Sequence, residues 1–177
     1  VRNKELPGEN TGNRYVRVAL VIAAVLPLWL VDVTADAATT AFPDPNVTFL
    51  IQAEIRDGGT RCATQTDGKT AIKFTACDKG NESQQWFQRE VDDQGYGMVY
   101  SVKGVCIDEN AYATNADKCE KRAKPERLMW KQESGGLVRN KSDKPMYWSA
   151  RGTSGDAGLT LTQKSSGASD FTIVSAD

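Results

Sequence analysis

Between residues 49 and 174 the apolar positions fall in short runs punctuated by turn-forming clusters. Phe49-Leu50-Ile51, Met98-Val99-Tyr100 and Leu137-Val138 are β-type runs, and Asp57-Gly58-Gly59, Lys103-Gly104 and Ser142-Asp143-Lys144 follow them as turn signals. A second strand is expected around Cys62, Cys106 and Trp148, and a third after Asp67-Gly68, Thr114-Asn115 and the loop 152–158. Residues 71–76 and 159–163 alternate apolar and polar side chains, the period-two signature of a strand with one buried face. A fourth strand starts at Trp86, Trp130 and Phe171. No stretch beyond residue 37 shows a helical period.

The same stations recur. Trp86, Trp130 and Phe171 are about 44 and 41 residues apart; Cys62, Cys106 and Trp148 about 44 and 42; Cys77, Cys119 and Gln163 about 42 and 44. Three markers therefore return one period, and short strands at regular spacing without helices predict an all-β fold. One such unit cannot bury its apolar face alone. Three around an axis close the sheet and pool the terminal aromatics in one core, so a threefold barrel is expected.

The N-terminal segment reads differently. Residues 18–31 are almost wholly apolar, Arg14 and Arg17 precede them, and Ala35 and Ala37 follow in an A-x-A pattern. This is the layout of a secretory signal over residues 1–37, with an uncleaved membrane anchor as the alternative. The run is shorter than the roughly 18–20 residues of a spanning helix, and Pro27 interrupts it. Residues 38–48 read as a linker, with Pro43 and Pro45 among small polar residues, and residues 49–177 as the domain. The leader carries four basic residues (Arg2, Lys4, Arg14, Arg17) and four acidic ones (Glu5, Glu9, Asp32, Asp36), so its removal leaves the net charge of −1 unchanged. No field of one sign is available to attract nucleic acid or an anionic membrane, and neither is expected as a partner once the leader is removed.

The chain has no histidine, which removes His-based triads, His general bases and His-ligated metals. No metal or cofactor is expected. Four cysteines allow three connectivities. They fall into two local groups, so Cys62–Cys77 and Cys106–Cys119 are the expected disulfides of an exported chain.

Gln84-Gln85-Trp86 forms a Q-x-W motif behind Cys62 and Cys77; Trp130 keeps the tryptophan behind Cys106 and Cys119; Phe171 stands where the third motif has decayed. In this frame residues 49–174 resemble the ricin B-type lectins, whose fold is a β-trefoil of three four-stranded units. The resemblance implies that Trp86 and Trp130 are core residues and that the motif glutamine satisfies turn backbone. It also implies a sugar-binding kit in each functional unit: an aspartate two residues after the first cysteine, an aromatic two before the second, and an amide nearby. The first unit has Thr64 and Thr75 at the two main positions, and the third has Ala150 and Leu161. The second has Asp108, with Asp117 where the aromatic belongs, Asn115 at a family amide position and Tyr112 in the loop as a substitute ring. Asp108, Asn115, Tyr112 and Asp117 are thus the expected ligand-binding set, although Asp108 is equally placed to cap turn N–H groups. The basic run Lys121-Arg122-Ala123-Lys124 lies in the loop before Trp130 and suits an acidic glycan or plain solvation.

The expected function is a secreted carbohydrate-binding module that engages a glycan or glycoprotein. The alternative is a β-trefoil protein-interaction module with a protein partner, such as a protease inhibitor or a toxin binding subunit. An enzyme is not expected: Asp92-Asp93 and Asp108-Glu109 are carboxylate neighbours, and adjacent strand residues point to opposite faces.

Overall fold

The structure, a computed structural model, describes residues 41–177 apart from 67, 69 and 154. The expected leader, the first three residues of the expected linker and Asp67 of the Asp67-Gly68 turn signal lie outside the described residues. Among the described residues no helix is long and apolar enough to cross a membrane.

The fold is all-β, with twelve strands in one antiparallel sheet. In chain order they are β1 (Phe49–Ile55), β2 (Gly59–Gln65), β3 (Ile72–Thr75), β4 (Trp86–Arg89), β5 (Gly97–Ser101) and β6 (Val105–Ile107). There follow β7 (Ala113–Asn115), β8 (Met129–Gln132), β9 (Val138–Asn140), β10 (Tyr147–Arg151), β11 (Gly158–Thr162) and β12 (Phe171–Ser175). The links hold a short helix α1 (Ala116–Glu120) and 3-10 turns at Glu82–Gln84, Pro125–Arg127 and Ser165–Gly167. The hydrophobic pattern does not announce α1, because little more than one turn is too short to show a 3.6-residue period. Its local signal is Asn115, whose side chain caps it by accepting from Asp117 N at 3.0 Å.

Six strands are linked in series by five pairings. β12 pairs with β1, β1 with β4, β4 with β5, β5 with β8 and β8 with β9. The path returns to β12 where Phe171 N donates to Gly136 O at 2.9 Å, just ahead of β9. Gly136 is required at this closure: φ is +86°, and a Cβ there would lie 2.8 Å from Phe171 O. The other six strands form the hairpins β2–β3, β6–β7 and β10–β11. The hairpins also bond to one another, Ala113 N to Thr70 O at 2.7 Å and Phe74 N to Ala157 O at 2.9 Å.

The alternating positions deliver one core. Trp86, Trp130 and Phe171 belong to it, as expected, together with Phe49, Ile51 and Val138. Trp148, at the station held by cysteine in the first two stretches, is fully buried and packs 5.2 Å from Trp130 and 5.7 Å from Phe171. Burying each such ring contributes on the order of 2–3 kcal/mol. Residues 41–47 have the irregular backbone their composition implies, yet Phe42 stacks on Phe49 and meets the edge of Trp148. The disulfides Cys62–Cys77 and Cys106–Cys119 are both present. The second sits in a satellite cluster with Met98, Tyr100 and Leu128, and fastens α1 to β6. Burial there, with Glu90 and Glu120 nearby, pushes the Tyr100 phenol up to about 12.

Candidate functional site

Of the expected ligand-binding residues, Asp108 and Tyr112 lie in the β6–β7 turn, Asn115 ends β7 and Asp117 lies in α1. The turn runs from Asp108 to Tyr112 and is organised by one carboxylate. Asp108 Oδ1 accepts from Asn110 N at 2.8 Å and Tyr112 N at 3.0 Å, and Oδ2 accepts from Thr114 Oγ1 at 2.8 Å. The backbone closes on itself through Asp108 N to Tyr112 O at 2.9 Å and Ala111 N to Asp108 O at 3.0 Å. Asp108 is 5% exposed, so these bonds satisfy most of a buried charge. Ala111 is held at φ 61°, a left-handed conformation that costs a non-glycine residue about 1–2 kcal/mol.

A twin of this turn shows which features are structural. Asp92 Oδ1 accepts from Gln94 N and Tyr96 N, both at 2.9 Å, with Asp92 N to Tyr96 O and Gly95 N to Asp92 O completing the same pattern. The carboxylate at the first position is therefore a turn-forming device in both. The two turns part at the tyrosine. Tyr96 is buried, with Lys131 and Arg139 over its ring at 5.5 and 5.4 Å, whereas Tyr112 is 46% exposed. Three of the four carboxylates noted as neighbours in the sequence, Asp92, Asp108 and Glu109, have partners. Asp92 is bound by Lys141, and Glu109 pairs with Arg122 at 3.1 Å.

Strand register relocates the aromatic position. In the first hairpin Cys62 opposes Thr75, and in the third Trp148 opposes Leu161. In the second Cys106 opposes Thr114. Thr114, not Asp117, is thus the register equivalent of Thr75 and Leu161, and its bond to Asp108 matches the 2.7 Å contact between the Thr64 and Thr75 hydroxyls. The sequence count misses Thr114 because two changes offset each other. From the aspartate position to its cross-strand partner the second hairpin is five residues shorter than the first, and from the strand to the second cysteine it is three longer.

Asn115 and Asp117 accordingly lie at the base of the hairpin. Asn115 opposes Val105, and its side-chain oxygen serves Asp117 N as the cap of α1; Asp117 itself is exposed. Asp108, Tyr112 and Thr114 are brought together, while Asn115 and Asp117 form a separate local pair.

The other two hairpins are closed at the corresponding place. In the first, Gln84, 1% exposed, has Nε2 at 3.1, 2.9 and 2.8 Å from Thr64 Oγ1, Thr75 Oγ1 and Ala76 O, three acceptors sharing its two hydrogens, and its Oε1 accepts from Asp78 N at 2.8 Å. This is the turn-satisfying role implied for the motif glutamine. In the third, Ala150 and Leu161 are apolar, Tyr147 is half-buried, and the buried Trp148 Nε1 finds no partner among the described residues.

Comparison with protein-family models, with curated proteins and with solved structures found no match to this chain.

Proposed function

We propose that the chain is a degenerate member of the ricin B-type lectins, a β-trefoil of three four-stranded units acting as a secreted carbohydrate-binding module. The β6–β7 turn is its saccharide site. Equivalent bonds support the threefold reading. Trp86 Nε1 donates to Ala63 O at 3.0 Å and Trp130 Nε1 to Ile107 O at 3.1 Å, each spanning 23 residues to the residue after a cysteine. Gln88, two beyond Trp86, donates to Trp130 O at 2.8 Å, and Gln132, two beyond Trp130, donates to Phe171 O at 2.6 Å, so the first stretch grips the second and the second grips the third. Two disulfides suit an oxidising compartment.

The exposed Tyr112 ring on a rigid turn carries the functional reading. Saccharide recognition combines an apolar ring that covers sugar C–H surface with oxygens that select hydroxyl geometry. Tyr112 supplies the ring. Asp108 fixes the turn and keeps a lone pair on Oδ2 beyond its bond to Thr114, since each carboxylate oxygen accepts two bonds. The bonds from the Tyr112 backbone leave its side chain dispensable for folding, so Tyr112→Ala separates binding from stability. On a glycan array the wild type gives a defined signal that Tyr112→Ala abolishes at unchanged melting temperature. No glycan signal, with capture of one defined protein instead, would make the chain a protein-interaction module.

A further inference from the structure

Two adjoining clefts, about 420 and 260 Å³, share Lys124 and Arg127 as lining residues. The larger lies between the Pro125–Arg127 turn and the loop 142–144, and the smaller reaches Glu109 and Arg122 beside the proposed saccharide turn. Their walls are fixed. Asn140, 2% exposed, donates through Nδ2 to Arg127 O at 3.3 Å and accepts from Met146 N at 2.9 Å, tying both sides of the larger cleft to one buried amide. Leu128 N to Pro125 O at 2.8 Å, Lys141 N to Met129 O at 3.1 Å and the Cys106–Cys119 disulfide complete the frame.

Arg122 is already balanced by Glu109. Among the described residues Lys124, Arg127 and Lys144 have no ion pair, nor have Glu126 and Asp143, which line the same cleft. The lining therefore offers a surplus of one positive charge and two free acceptors. A polyanion would meet both carboxylates and be repelled. A sugar carrying one negative group satisfies the set: its anion lies against Arg127 with Lys124 or Lys144, and its hydroxyls donate to Glu126 and Asp143.

We propose that this cleft binds a singly charged acidic saccharide bearing a carboxylate or a sulfate. The proposal rests on the glycan-binding reading and extends it to a charge-reading subsite beside the Tyr112 turn. With few apolar partners the subsite acts through charge, so it sets preference and weakens with salt.

The test titrates the protein with a uronate-containing disaccharide, its sulfated and neutral counterparts, and a dense sulfated polysaccharide, followed by calorimetry. The variants are Arg127→Ala, Lys144→Gln and Tyr112→Ala. Arg127→Ala keeps the backbone carbonyl that Asn140 holds, and Lys144→Gln reports independently should Arg127→Ala fail to fold. The wild type is expected to prefer an acidic over the neutral disaccharide by about tenfold, an increment of about 1.4 kcal/mol. Arg127→Ala and Lys144→Gln remove the preference and spare neutral binding. Which acidic disaccharide binds tells carboxylate from sulfate. Equal binding of charged and neutral sugars, or preference for the polyanion, overturns the cleft while leaving the Tyr112 reading intact. Acidic-sugar binding lost in Arg127→Ala and Lys144→Gln but unmoved by Tyr112→Ala keeps the cleft and sinks the turn. Binding of none of these probes defeats both.

Discussion

Replacing Gln84 by leucine tests whether the motif glutamine is a structural clamp. Leucine is the residue the chain uses two positions before Trp130, where Leu128 lies in the apolar cluster with Met98 and Tyr100. Size alone therefore does not forbid it. At position 84 it removes the two amide N–H donors, which serve Thr64, Thr75 and Ala76, and the oxygen that accepts from Asp78 N. Thr64 and Thr75 keep each other through their 2.7 Å contact, so the loss falls on Asp78 N and Ala76 O. A buried group left unpaired costs about 1–3 kcal/mol, but Asp78 and Ala76 are exposed residues and water recovers part of it. The expected loss is about 1–3 kcal/mol in all, or roughly 4–12 °C in melting temperature at about 4 °C per kcal/mol. Urea denaturation of the oxidised protein measures it, with an unchanged m-value marking a native-state effect. The reciprocal Leu128→Gln puts an amide into an apolar cluster and costs about 2–4 kcal/mol. Gln84→Leu leaving stability within about 0.5 kcal/mol of wild type would refute the clamp.

Replacing either cysteine pair by serine removes a cross-link of 15 or 13 residues' separation and lowers stability by about 3 kcal/mol, readable as a shift in urea midpoint that full reduction of the wild type, which opens both, exceeds. Asp92 carries a pH signature. Burial works to raise its pKa, but hydrogen bonds from Lys141, Tyr96 N and Gln94 N hold it below the usual carboxylate value. Its contribution is thus full above about pH 4 and is lost as pH falls through the depressed folded value; Asp92→Asn flattens that part of the acid denaturation profile. The hydrogen bond to Asp92 in turn raises Lys141 above the ordinary lysine value. That stability is present below about pH 10 and is lost as pH rises through the raised value, so Lys141→Met flattens the alkaline limb. In an ultraviolet phenolate titration one tyrosine ionises near pH 12, and Tyr100→Phe removes that step.

The strands were legible because burial on one face imposes a period of two that residue types reveal directly, and the recurrence of Trp86, Trp130 and Phe171 placed them in a single core. The site was legible in part. Cysteine spacing found the second hairpin and Asp108, but it sees only the total length between two residues, and a short turn with a helical insertion nearly cancels in that total. Only cross-strand register separates them, which is why Asp117 stood in for Thr114. The exposure of Tyr112 against the burial of Tyr96 was beyond reach for the same kind of reason. Both close the same five-residue turn, and what covers Tyr96 are Lys131 and Arg139, distant in sequence. Asn140, which anchors the basic cleft, gave no signal, because a buried asparagine is recognised by its partners and not by its neighbours in the chain.

Amide NMR shift mapping during titration with an array-selected saccharide tests the account most directly. Perturbations should concentrate on residues 108–114 and, for a charged sugar, extend to 124–127 and 142–144. Shifts clustered instead on the β2–β3 or β10–β11 hairpin, with residues 108–114 silent at saturation, would contradict it.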